Sequence, residues 1–232
     1  MGFSQKTLDF VVQNHIRDSR DWFEEHKAVY TEYVLRPLRE LVEALAPQML
    51  QIDGELVTEP RVDKTICRIR RDTRYSHDKT IYRDHMWIIF KRGKMHGTEV
   101  PGFYFEITPA GFSYGCGFYS ASTAYMRTLR ELVLAKDPLF EKAQAAFLAQ
   151  DLFQIEGDCF KRPHYPDQPE ELRQWLERRG ICFTAESADF DLAYSDHLAG
   201  RLADGFARLA PVYHFMLHIA ERVRSESELF GQ

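Results

Sequence analysis

The chain has 232 residues and 27.2 kDa, enough for one large domain or two small ones with a buried core. Hydrophobic residues make up 44% and charged residues 28%, the balance of a folded globular chain, and the net charge of −5 argues against whole-protein attraction to nucleic acid or to an anionic membrane. No apolar run is long enough for a membrane-spanning helix, and the first residues lack a signal peptide's basic and apolar regions, so a cytoplasmic protein with no membrane partner is expected. Cys67, Cys116, Cys159 and Cys182 stand singly with no C-x-x-C pair, which points to reduced thiols rather than a zinc ribbon or a disulfide framework.

Ser4 is placed to cap a short helix carrying Leu8, Val11 and Val12, which Asn14 and His15 should end. Asp18 or Ser19 then caps a longer helix with Phe23, Tyr30, Tyr33, Val34, Leu38, Leu41 and Leu45 at helical spacing. Pro37 should kink or split that helix, and Pro47 should stop it. Strand patterns follow at residues 65–70, 86–91, 103–107 and 112–119, the last two joined by a tight turn at Thr108-Pro109-Ala110-Gly111. Alternation puts Phe103, Phe105, Ile107, Phe112, Tyr114 and Phe118 on one buried face, with Cys116 among them. The opposite face carries Glu106, Gly115, Gly117 and Tyr119; Glu106 should pair with an arginine of residues 61–92, Arg68 or Arg70 first among them, and the glycines mark the close approach of a helix or a ligand. Helices return at about residues 122–135, 137–150, 170–179 and 194–225, with a short strand at 181–184. The expected fold is a single α+β domain over residues 1–232, an antiparallel sheet of about four or five strands flanked by N-terminal and C-terminal helices.

Charge is unevenly spread. Residues 61–96 hold eleven Lys or Arg against four Asp, a local +7 that leaves −12 for the rest of the chain. Such a cluster needs internal carboxylates or an external anion. Its centre reads Arg68-x-x-Arg71-Asp72-x-Arg74-Tyr75, then Asp78-Lys79-x-x-Tyr82. That pattern, with Arg20-Asp21-Trp22-Phe23 before it and Gly115-Cys116-Gly117-Phe118-Tyr119 after it, resembles the signature of a bacterial family catalogued as domain of unknown function 2461. The resemblance spans nearly the whole chain, and no activity comes with it.

Arginine stays charged and presents a planar fork of donors suited to carboxylates and phosphates. The spacing predicts a strand ending near Arg70 and then a loop that carries binding groups. Three functions remain open. The first is a binding module for a phosphate-bearing small molecule or a nucleic-acid end, using Arg68, Arg71, Arg74 and Lys79, with Tyr82 and Tyr119 at the rim. The second is an enzyme acting on a phosphorylated substrate, with Asp72 or Asp78 as general base and His77 moving the proton. The third is a protein-interaction domain whose arginine cluster is structural, its carboxylates locking the loop onto the sheet. No cofactor fingerprint occurs and no metal is expected; His214, His218 and Glu221 have ligand spacing on a helix but lie off its apolar stripe.

Overall fold

The computed structural model describes residues 2–74, 76–95, 100–118 and 120–230, with the backbone alone at Leu229 and Phe230. Helices α1 (Gln5–Arg17), α2 (Arg20–Glu25), α3 (Lys27–Tyr30) and α4 (Arg36–Ile52) open the chain. Strands β1 (Met86–Lys91), β2 (Gly102–Thr108) and β3 (Gly111–Gly117) follow. Then come α5 (Thr123–Leu134), α6 (Pro138–Leu148), β4 (Gln154–Glu156), α7 (Glu170–Leu176), β5 (Cys182–Ser187), α8 (Phe190–Tyr194) and α9 (Leu198–Phe230). Among the described residues the strands form one antiparallel sheet in the order β1-β2-β3-β5-β4, so the architecture is α+β. The chain divides into two compact units, Met1–Phe90 with Tyr104–Tyr114 and Glu186–Asp204, and Lys91–Phe103 with Gly115–Ala185 and Gly205–Gln232.

In the first unit Pro37 is absorbed without splitting the helix, whose backbone stays right-handed helical from Lys27 to Ile52. It offers no N–H to the turn before it, and Thr31–Leu35 widen into a π-helical turn. Tyr33's carbonyl accepts instead from the hydroxyl of Thr7 at 2.6 Å, a side chain fully buried on α1. Pro47 does not stop α4, which runs on to Ile52. Leu45 and Met49 on either side of it are fully buried, and that packing outweighs one lost helical hydrogen bond. Phe10, Phe23 and Tyr30 pack their rings together at 5.4–6.5 Å, and Tyr82 stacks on Phe23 at 5.3 Å.

The expected strand at 65–70 is instead a run of isolated bridges, Val62 to Ile66, Ile66 to Ile88 and Arg70 to Tyr82. The hairpin face is as expected for Phe103, Phe105, Ile107, Phe112, Tyr114 and Cys116, all at most 3% exposed. Phe118 lies past the end of β3 and is only half-buried. Glu106 meets neither Arg68 nor Arg70; its carboxylate lies 3.5 Å from His85 Nε2.

In the second unit Trp175 sits among Phe140, Phe147, Phe183 and Phe215 at ring distances of 5.0–6.1 Å. The Tyr125 hydroxyl donates to the Met216 carbonyl at 3.0 Å, holding α5 to α9. Phe103 rests on Phe206 and Tyr213. β4 was not foreseen; it pairs Gln154 with Thr184, Ile155 with Phe183 and Glu156 with Cys182.

The close approach at Gly115 and Gly117 is made by β5 itself, not by a helix or a ligand. A Cβ at 115 would collide with the Phe183 carbonyl oxygen, and one at 117 would lie 2.7 Å from the Cys182 Cα. Both neighbours are backbone and cannot swing away. Gly115→Ala should therefore lower stability by about 3 kcal/mol or more, read as a fall in the urea midpoint. Gly54→Ala, where an added Cβ meets nothing within 4 Å, should leave the midpoint nearly unchanged.

Candidate functional site

The arginine-rich segment is a loop of residues 71–81 pinched at its base. Arg70 bridges Tyr82, Arg71 N–H donates to the Ile81 carbonyl at 2.8 Å, and Arg83 N–H donates to that of Ile69 at 2.9 Å. The end of α1 clamps the same neck. Asp18 takes a left-handed backbone, φ 46°, and its carboxylate accepts from the N–H groups of Ile81 at 2.7 Å and Tyr82 at 3.1 Å. His15 Nδ1 lies 2.8 Å from the Tyr82 carbonyl.

Each arginine of the motif is met by a carboxylate. Arg68 donates to Asp63 at 2.6 and 2.7 Å, and Arg74 forks onto Asp72 at 2.6 and 2.9 Å. Arg71 pairs with Asp78 and also donates to the Thr80 carbonyl. Arg70 lies 3.6 Å from Glu24 and covers the rings of Phe23 and Tyr82, each at 5.7 Å. Lys79 donates to the Thr73 carbonyl at 2.9 Å, closing the loop from inside. Arg68 and Arg74 remain 64% and 76% exposed, whereas Arg71 is 25% exposed.

Arg74 donates side-chain and backbone hydrogen bonds to Asp72 and, with the charge of Arg68 added, holds its pKa down to about 2. Asp78 is depressed further, first by the hydroxyl and N–H of Thr80 and then by Arg71. Carboxylates so stabilised are weak bases, which does not favour either as a proton acceptor at neutral pH. His77 is exposed. Tyr82 is fully buried, so its ring belongs to the core and not to a ligand's rim. Tyr75 and Tyr119 lie outside the described residues. Of the helical trio, Glu221 pairs with Arg92 at 3.4 Å and His218 lies 3.9 Å from Asp137.

A second concave surface, not foreseen from sequence, lies in the second unit. Glu156 faces Cys182 in the β4–β5 ladder, but Cys159 faces Arg178, three residues on one strand against four on the other. The slip is a β-bulge, a device that bends a strand and re-aims its side chains. Beside it opens a cleft of about 630 Å³ lined by residues that include Phe118, Met126, Arg130, Asp158, Arg179 and Cys182. Arg130 is committed to the wall. It donates to the carbonyls of Leu176 and Met126 at 2.9 Å and to that of Arg178, and its guanidinium carbon lies 5.0 Å from the Phe160 ring centre. His164 stacks on the same ring at 3.9 Å. Glu177 accepts from the N–H groups of His164 and Tyr165 at 2.7–3.0 Å; burial opposes its charge, but these donors hold its pKa below the usual value.

A family model described as conserved hypothetical protein (DUF2461) matches residues 6–215 of the chain. A search of curated proteins returned no match.

The Asp72–Arg74 fork is checked by titration. A depressed carboxyl contributes its pairing above the unfolded-state pKa and loses it as pH falls through the folded one, here about 2. In Arg74→Ala the Asp72 midpoint, followed by carboxyl carbon NMR, should rise toward the ordinary aspartate value of about 3.9. An unchanged midpoint would mean that Arg74 is not what holds it down.

Proposed function

The chain belongs to the DUF2461 family, and from the geometry of its own residues we propose that it is a binding module for phosphate-bearing ligands, seated at Arg68 and Arg74 on the mouth of the 71–81 loop. The observation that carries this is the position of Asp72. Its carboxylate forks onto Arg74 and feels the charge of Arg68, so an internal anion already engages the exposed guanidinium of Arg74 within electrostatic reach of Arg68. Exposed ion pairs contribute little in water, and a phosphate with more charge and more acceptor oxygens competes with one carboxylate for those donors. Arg71, Lys79 and Asp78 act from behind, holding the loop closed.

A second reading has its own support. Every arginine of the motif has a carboxylate within reach, so the cluster serves equally as a scaffold that ties the segment to itself and, through Arg70 and Glu24, to α2. Calorimetry with pyrophosphate separates the two. On the binding reading the wild type binds, and affinity falls steeply as salt is raised. Asp72→Asn binds more tightly because the competing anion is gone, and Arg74→Ala loses about tenfold or more. No heat from either the wild type or Asp72→Asn, for pyrophosphate or a nucleoside triphosphate, would leave only the scaffold. Arg71→Ala should lower the melting temperature on both readings.

A further inference from the structure

We infer that the cleft beside the β4–β5 bulge binds a small zwitterion with an apolar body, of amino-acid or dipeptide size. This rests on residues separate from the arginine loop and goes beyond the phosphate reading. Arg179 N–H donates to the Asp158 carbonyl at 2.7 Å, so the two residues face each other across the bulged ladder. Opposed residues of an antiparallel pair project to the same side, with Cβ atoms about 4.5–5.5 Å apart. One carries a cation and the other an anion, both side chains are exposed, and both line the cleft. Among the described residues neither makes an ion pair, and Glu156, also on the lining, makes none either.

That is the reverse of the loop at 71–81, where each arginine is already met by a carboxylate. Two opposite charges left open on one wall offer a carboxylate to an ammonium and a guanidinium to a carboxylate. A ligand with both groups satisfies the pair at once, and a ligand with one leaves the other to water. The remaining wall explains the apolar body. Met126 and Ile181 are almost wholly buried beneath the cleft and Phe118 is half-buried at its edge. The wall is also rigid, since Arg130 ties α5 to the carbonyls of residues 176 and 178. A volume of about 630 Å³ holds a dipeptide with room for water.

Cys182 lines the cleft and is half-buried, whereas Cys159 is exposed and is not among the lining residues, which supplies a site-specific readout and its control. Alkylation of each cysteine by iodoacetamide is followed by peptide mass mapping, with the dipeptide Leu-Phe at millimolar concentration. At ninety per cent occupancy the Cys182 rate should fall about tenfold, by mass action, while Cys159 is unaffected. N-acetyl-Leu-Phe and Leu-Phe amide, each lacking one charge, should protect far less. Arg179→Gln and Asp158→Asn should each abolish protection, and Asp72→Asn, in the loop, should not. The inference is overturned if Leu-Phe leaves Cys182 as reactive as before, if the single-charge derivatives protect equally, or if protection survives in both cleft variants. None of these outcomes bears on pyrophosphate binding at the loop, so the two sites stand or fall separately.

Discussion

Strand β5 lies against β3 only because positions 115 and 117 carry no side chain. The Phe183 carbonyl fills the space of one missing Cβ, and the Cys182 backbone crowds the other. Much of the second unit follows from that approach. It sets Cys182 and Phe183 in the register that β4 then reads, Phe183 reaches Trp175, and the ladder must slip by one residue to meet Cys159 and Arg178. The cleft opens beside that slip, and Arg130 braces its wall by donating to the Leu176 carbonyl at the end of α7 and to that of Arg178. Two glycines thus have consequences far larger than the atoms they omit.

The charges follow a different logic in each place. In the 71–81 loop, cation and carboxylate are supplied by near neighbours in sequence, Arg74 with Asp72 and Arg71 with Asp78. Asp18 and His15 clamp the loop's neck from α1, Arg71 and Lys79 close it from within, and the guanidinium heads of Arg68 and Arg74 are left at the surface. At the bulge, charges that the strand pairing brings together are left unjoined. Buried groups follow the expected rule: desolvation pushes Cys67 up to about 12 and raises Cys116 well above its usual value, so both are inert thiols.

What the residues announced in advance was whatever depends on local pattern. The alternation of Phe103, Phe105 and Ile107 and the turn at Pro109-Ala110-Gly111 were enough for the hairpin, and the charge excess of residues 61–96 pointed to the loop. What was hidden depends on partners distant in the chain. Arg70 finds Glu24, Tyr33's carbonyl finds Thr7, and Glu106 finds His85, none at a spacing that propensity can read. Tyr82 looked like a surface aromatic because its neighbours are charged, yet its ring fills the core behind Phe23. β4 has three residues, too few for a period, and the bulge is a property of register, which composition does not encode.

The ends of the sheet carry a consequence for how the molecule behaves when crowded with its own kind. Strand edges with unpaired backbone groups recruit other chains and seed aggregates. At β1 that row is occupied: Ile89 N–H donates to the Thr65 carbonyl and Cys67 N–H to that of Trp87, so the bridges at 65–67 act as a hem. At β4 the edge is three residues long, with Gln154 and Glu156 turned to water and the bulge directly after it. An intruding strand would find almost no straight ladder to copy there and a negative charge in its way. The irregularity that shapes the cleft also guards the sheet's margin against self-templating.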